Sequence, residues 1–165
     1  MSDRIPLCLK LPDWPVTDSI EWEDLFATGD LFDDVGPCQN WSDGSRQMRC
    51  QSYGQWLSFL HRTDVEALAV APSQRISVGC AHAFVTDFEQ RDLSPSTIKN
   101  RVVNLYVVAK AMEPQKDWAW LNTAVKRLAN AANRHSLPAP HPIMGPQILR
   151  WSLRFMEETA LNTRL

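Results

Sequence analysis

Residues 93–110, LSPSTIKNRVVNLYVVAK, decide how the chain is read, because they predict a helix with two unlike surfaces. Ser94 suits an N-cap, and Pro95 supplies a preset backbone angle at the first helical position. Ser96, Thr97, Lys99, Asn100 and Arg101 then set hydroxyl, ammonium, amide and guanidinium groups in the first two turns. They stand beside backbone N–H groups that themselves attract phosphate. Ile98, Val102, Leu105, Val108 and Ala109 recur at three- and four-residue spacing, so the opposite face has a core to join. An ordinary amphipathic surface helix has the same pattern, so the meaning of the polar end depends on the rest of the chain.

Working outward, the same periodicity predicts a helix over about 45–61, with Met48, Tyr53, Trp56, Leu57, Phe59 and Leu60 apolar and Arg46 and Arg49 on a polar surface near its start. Ser77 caps a further helix, VGCAHAFVTDFEQR, in which Val78, Ala81, Phe84, Val85 and Phe88 form one stripe. Asp117 caps another, WAWLNTAVKRLANAANRH, with Trp118, Leu121, Ala124, Val125 and Leu128 inward and Lys126, Arg127 and Arg134 outward. With the helix of residues 93–110, these four give an all-α bundle.

Residues 1–43 are broken by Pro6, Pro12, Pro15, Gly29, Gly36 and Pro37, which leaves room for one short helix capped by Asp18 or Ser19, with Ile20, Trp22, Leu25 and Phe26 apolar. Residues 137–147 are too rich in proline for helix or central strand and read as a linker. Residues 148–165 are again amphipathic. The expected organisation is therefore an acidic arm over 1–43, a helical domain over 44–136, a linker over 137–147 and one helix over 148–165.

The formal net charge of −2 hides a division. Residues 1–43 hold two basic against ten acidic residues, a net of −8, whereas 44–165 hold fifteen basic against nine acidic, a net of +6. A basic body suggests an anionic partner, with the acidic arm kept away from it or shielding it. The chain has 165 residues, 44% of them hydrophobic, and no apolar run near the roughly 18 residues of a membrane span, so no membrane partner is expected. The opening MSDRIPLCLKLPDWP lacks the basic and apolar regions of a secretory leader, and a cytoplasmic location is expected. Cys8, Cys38, Cys50 and Cys80 are too scattered for a zinc site and read as reduced thiols, Cys80 inside a helix. No metal, cofactor or small-molecule substrate is expected. Asp30, Asp33 and Asp34 lack the central Gly and terminal Glu of a calcium loop and read as a solvated turn. The four histidines suggest no triad, and the seven tryptophans read as core or as docking of the arm onto the bundle.

The succession YGQWLSFL, FVTDFEQRDLSPSTIKNRVVNLYVVAK and WAWLNTAVKRLANAAN, followed by a proline-rich hinge, resembles the N-terminal core-binding (SAM-like) domain of tyrosine recombinases, the phage integrase family. It covers roughly residues 45–145, and the most specific piece is Ser94, the Thr97–Ile98 pair, Arg101 and Leu105. The resemblance implies a four-helix bundle forming half of a clamp around double-stranded DNA. Arg46 and Arg49 then match the first DNA-facing helix, and Ser96, Thr97, Lys99, Asn100 and Arg101 the third. Lys110, Lys126 and Arg127 match backbone-contacting basic positions more loosely. Lysine and arginine supply salt-dependent attraction to phosphate, while Asn100 and Arg101 are of the types that read adenine or guanine edges.

The family's cutting chemistry needs a tyrosine nucleophile with arginine, lysine and histidine partners, including a His-x-x-Arg motif. Here Tyr53 and Tyr106 fall on apolar helix faces and no His-x-x-Arg occurs. The chain as given is therefore expected to be non-catalytic, with residues 148–165 as the first helix of a truncated catalytic domain. Self-association on DNA would depend on the full-length parent. The contrasting reading is a non-enzymatic helical protein-interaction or regulatory protein, in which the acidic arm and aromatic patches bind another protein.

Overall fold

The helix starts after Ser42, Ser77 and Ser94 are each set by a short-range hydrogen bond that a single side chain supplies. In the computed structural model, which describes residues 5–29 and 35–135, Ser42 accepts from the Ser45 N–H, Ser77 from the Cys80 N–H and Ser94 from the Thr97 N–H, each at 3.3 Å. These caps open α2 (Asp43–Thr63), α4 (Val78–Gln90) and α5 (Pro95–Met112). The other helices are α1 (Val16–Asp24), the single turn α3 (Pro72–Arg75) and α6 (Ala119–His135), with 3-10 turns at Leu11–Asp13 and Val65–Ala69. The described residues contain no strand, so the fold is all-α as expected.

Some boundaries differ from the expectation. Asp18 and Ser19 do not cap α1; the helix starts directly after Pro15, and Asp18 sits inside its first turn, fully buried. Asp117 accepts from the Ala119 N–H at 2.8 Å, and α6 begins at Ala119, not at the tryptophan before it. Cys80 lies in the first turn of α4. Between α4 and α5 the chain reverses through Asp92, whose φ of 57° is one that aspartate tolerates better than most residues. The linker 137–147, the helix over 148–165 and the turn containing Asp30, Asp33 and Asp34 lie outside the described residues.

The core follows the helical stripes. Ile98, Val102, Leu105, Val108 and Ala109 of α5 are all buried, as are Tyr53, Trp56, Leu57, Phe59 and Leu60 of α2. In α4 the buried stripe is Ala81, Phe84 and Phe88; Val78, expected with them, is 63% exposed. Met48 and Ile20 are likewise exposed, because burial on α2 begins only at Ser52 and α1 turns Trp22 inward instead. Trp56, Phe59, Phe84 and Phe88 form a chain of ring contacts with centroids 4.4–5.8 Å apart.

The described part of residues 1–43 packs into this same core. Leu9, Trp14, Trp22, Leu25 and Cys38 are buried among the helices, and α2 starts at Asp43 without a break in packing. The docking rests on backbone as well as side chains. The Leu9 N–H donates to the Gly54 carbonyl at 3.0 Å, the Trp14 indole N–H to the Leu9 carbonyl at 3.0 Å, and the Ser58 hydroxyl to the Pro6 carbonyl. A Cβ at position 54 would stand 2.2 Å from the Leu9 carbonyl oxygen, so glycine is what lets the two backbones touch.

Two ionic clusters tie elements together. Arg75, at the end of α3, places Nη1 3.0 Å from both carboxylate oxygens of Asp18, and the Tyr53 hydroxyl donates to the same carboxylate at 2.7 Å. The Arg75 and Asp18 side chains are wholly buried, and the remaining guanidinium donors reach the Leu68 and Val70 carbonyls. Burial, then the Asp18 charge and hydrogen bond, push the Tyr53 hydroxyl far above its ordinary range, so it stays a neutral donor.

Nearer the surface, Asp87 of α4 is gripped by Arg62 of α2 and Arg91, each at 3.1 Å. Burial raises the Asp87 pKa, but the hydrogen bonds and charges of Arg62 and Arg91 outweigh it and hold the carboxyl below its usual value. A carboxylate depressed in the folded state contributes stability that is complete above its unfolded pKa, near 4, and is lost as pH falls through the folded value. The loss of stability of Asp87→Asn relative to the parent is therefore expected to be constant from neutral pH down to about pH 5 and to shrink below about pH 4. Denaturant titrations across that range measure it, and a difference that grows on acidification contradicts it.

Candidate nucleic-acid interface

The polar start of α5 divides into groups used for folding and groups turned outward. Ser94 and Thr97 are committed to the cap: their hydroxyls lie 2.9 Å apart and Ser94 Oγ also accepts the Thr97 N–H. Ser96 and Asn100 are exposed, and Lys99 is half-buried. Arg101, also half-buried, reaches α2, where its Nη1 donates to Ser52 Oγ at 3.2 Å while its Nε is enclosed without an acceptor. Ser52 is wholly buried, donating to the Met48 carbonyl at 2.9 Å and accepting from Asn104 Nδ2 at 2.9 Å.

The start of α2 carries the other two arginines. Arg46 lies over the Phe26 ring, 3.8 Å from its centroid, and Arg49 over Trp41 at 4.0 Å. Phe26 and Trp41 pack on each other and on Trp22, so an aromatic floor from the N-terminal segment holds both guanidinium groups, each contact worth about 0.5–2 kcal/mol. Burial raises the Cys8 and Cys50 pKa values; Arg101 pulls the first down, and at Cys50 the neighbouring Cys8 adds to the rise while Arg46 opposes it. Burial raises Cys38 too, against a downward pull from Arg49. Arg46 and Arg49 stand on α2 over rings of the N-terminal segment, and Arg101 reaches Ser52 of the same helix.

Not every expected residue joins them. Lys110 is exposed but lies nine positions beyond Arg101, which on an α-helix is about 13 Å along the axis and on the opposite side. Lys126 and Arg127 are exposed on α6, and Arg127 borders a cleft between α4 and α6 lined by Val78, Ala81, Val85, Trp120 and Leu128. Three further arginines of the basic region are consumed internally: Arg75 by Asp18, and Arg62 and Arg91 by Asp87. A region of opposite sign adjoins the C-terminal end of α5. There burial raises the Glu21 pKa, and Asp18, Glu113 and Asp24 add to the rise while Arg75 opposes it.

Ser52 and Asn104 were not among the expected site residues. Asn104 leaves a trace in the sequence by interrupting the apolar run VVNLYVV, whereas Ser52 stands among polar neighbours and leaves none; the pairing spans 52 positions. Trp14, Trp22, Trp56 and Trp118 are buried, and Trp41 and Trp120 pack against the core, so the described tryptophans serve packing. The described cysteines are free thiols, and among the described residues no group of three or more His, Cys, Asp or Glu side chains is placed to hold a metal ion. None of the described helices is long and apolar enough to cross a membrane. In comparisons with family models, curated proteins and solved structures, no match to this chain is found.

Proposed function

We propose that this chain is a double-stranded-DNA-binding module of a site-specific tyrosine recombinase or integrase, non-catalytic in itself, which helps clamp duplex DNA at the recombination site. In this reading α2, α4, α5 and α6 correspond to the four-helix core-binding bundle, and the start of α5 with the start of α2 forms the DNA face. The observation that carries the reading is the Arg101 side chain, anchored from α2 by Ser52 one position after the exposed Asn100. A cation fixed in the second turn of a helix suits a phosphate, and the backbone N–H groups of the first turn attract the same anion. Arg46 and Arg49, propped on aromatic rings, extend the positive surface on the neighbouring helix.

Binding of a duplex to the full chain is expected to weaken steeply between about 50 and about 200 mM salt, because phosphate contacts release counterions. Replacing Lys99 and Arg101 together by alanine is expected to lower affinity and to reduce the slope of log affinity against log salt by about 0.9 per lost phosphate contact. Unchanged affinity and slope overturn the assignment of this face. The apolar cleft between α4 and α6 favours a second reading, a helical protein-interaction module. Absence of duplex binding at low salt, together with capture of a defined protein partner lost on Trp120→Ala, supports that reading instead.

A further inference from the structure

We propose that the cleft between α4 and α6 is a docking groove for an acidic amphipathic helix of another protein; this rests on the protein-interaction reading of that cleft and leaves the starts of α2 and α5 uninvolved. Two helical ridges wall the cleft. On α4, Val78 and Val85 stand seven residues apart on one face, and on α6 Trp120, Ala124 and Leu128 recur every four. The buried Val102 of α5 lies between them as a floor. The ridges run about 10 and about 12 Å along their helix axes, and the cleft they border encloses about 490 Å³. Val78 is 63% exposed, so the apolar wall continues out to solvent.

These walls select a helix over an extended chain. Backbone groups of α4 and α6 are paired within their own helices, so an extended peptide finds no ladder partner and buries its N–H and C=O groups unmatched. A helix arrives with those groups already paired and presents side chains at i, i+4 and i+7 to a groove two turns long. Charge then selects the sign of the partner. Residues 119–135 hold Lys126, Arg127 and Arg134 and no acid. Arg127 borders the cleft beside Leu128, and neither it nor Lys126 enters an ion pair among the described residues. A carboxylate next to the anchor that meets Leu128 can therefore pair with Arg127. A second copy of this chain fits less well. Its exposed face on α1 offers Val16 and Ile20 as two anchors, then puts Glu23 at the third position, where a charge would meet an apolar wall.

Selection on the full chain from a displayed library of three-turn helical peptides tests the groove. Enriched peptides are expected to carry the apolar triplet with Asp or Glu next to its third member. Trp120→Ala is expected to weaken a synthesised enriched peptide by about 30-fold or more. Trp120 also packs against the core, so Val78→Asp separates docking from folding: at an exposed position it is expected to keep the fold and weaken the same peptide by about tenfold or more. Arg127→Glu is expected to weaken it about tenfold and to favour a version with Lys in place of the acid. Enriched peptides bound equally by Val78→Asp overturn this proposal, as does self-association of the parent abolished by Val78→Asp, which makes a second copy the occupant. Basic peptides lost on Trp120→Ala overturn the acidic partner and leave the protein-interaction reading standing. Absence of any enriched peptide overturns both. Duplex binding, measured separately, decides the DNA-binding reading on its own.

Discussion

Asp18→Ala is expected to lower the free energy of unfolding by about 3–5 kcal/mol, a large part of the 5–15 kcal/mol typical of a domain. The change removes the one carboxylate that, among the described residues, lies within hydrogen-bond distance of the wholly buried Arg75 side chain, and it takes the acceptor from the Tyr53 hydroxyl. An uncompensated buried guanidinium, not a lost attraction, is what makes the variant costly. Arg75→Ala is expected to cost a similar amount by stranding the carboxylate. Asp18→Ala combined with Arg75→Met is expected to lose less than the sum of the single changes, since no charge is then left alone in the interior. Denaturant midpoints at unchanged slope measure all three. Additive losses would show that the pair is not coupled as the geometry demands.

Trp22→Ala is expected to cost about 3–5 kcal/mol, the range for removing a large buried aromatic side chain. Trp22 is 1% exposed and meets Trp14, Phe26 and Trp41 with ring centroids 5.3–6.4 Å away. Ile20→Ala, two positions away on the same helix and exposed, is expected to stay within about 0.5 kcal/mol. The pair of variants measures whether the acidic N-terminal segment is part of the fold or an attachment. Because Trp22 shares one core with α2, α4 and α5, its loss is expected to shift the whole helical unfolding transition as a single step. A main transition left at the parent midpoint would contradict the shared core.

Much of the framework was legible because it depends on neighbours a few residues away. Ser77 and Ser94 could be read as caps, and the α5 stripe as buried, since each involves residues three or four positions apart. Residues 1–43 were harder. Prolines and acidic side chains mark them as irregular, and the tryptophans point to docking on the bundle without disclosing the partners that bury Asp18, Trp14 and Trp22. Asp18 looked like a cap because aspartate before an apolar run usually is one; its actual partner lies 57 positions away on a one-turn helix that leaves almost no periodic trace. The candidate site behaves in the same way. Its residue types were readable, but the anchoring of Arg101 by Ser52 requires two helices to meet, and no local pattern encodes that meeting.

The buried bond between Asp18 and Arg75 also carries a timetable. A ribosome adding about 5–20 residues per second makes Asp18 about 3–11 seconds before it makes Arg75. Through that interval Trp14 and Trp22 have been synthesised while α4 and α5, which complete their core, have not. The ten acidic residues of this early segment keep it charged and self-repelling while its tryptophans wait. Neutralising those on its outer surface should leave the finished fold nearly as stable, yet lower the fraction of newly made chains that reach it.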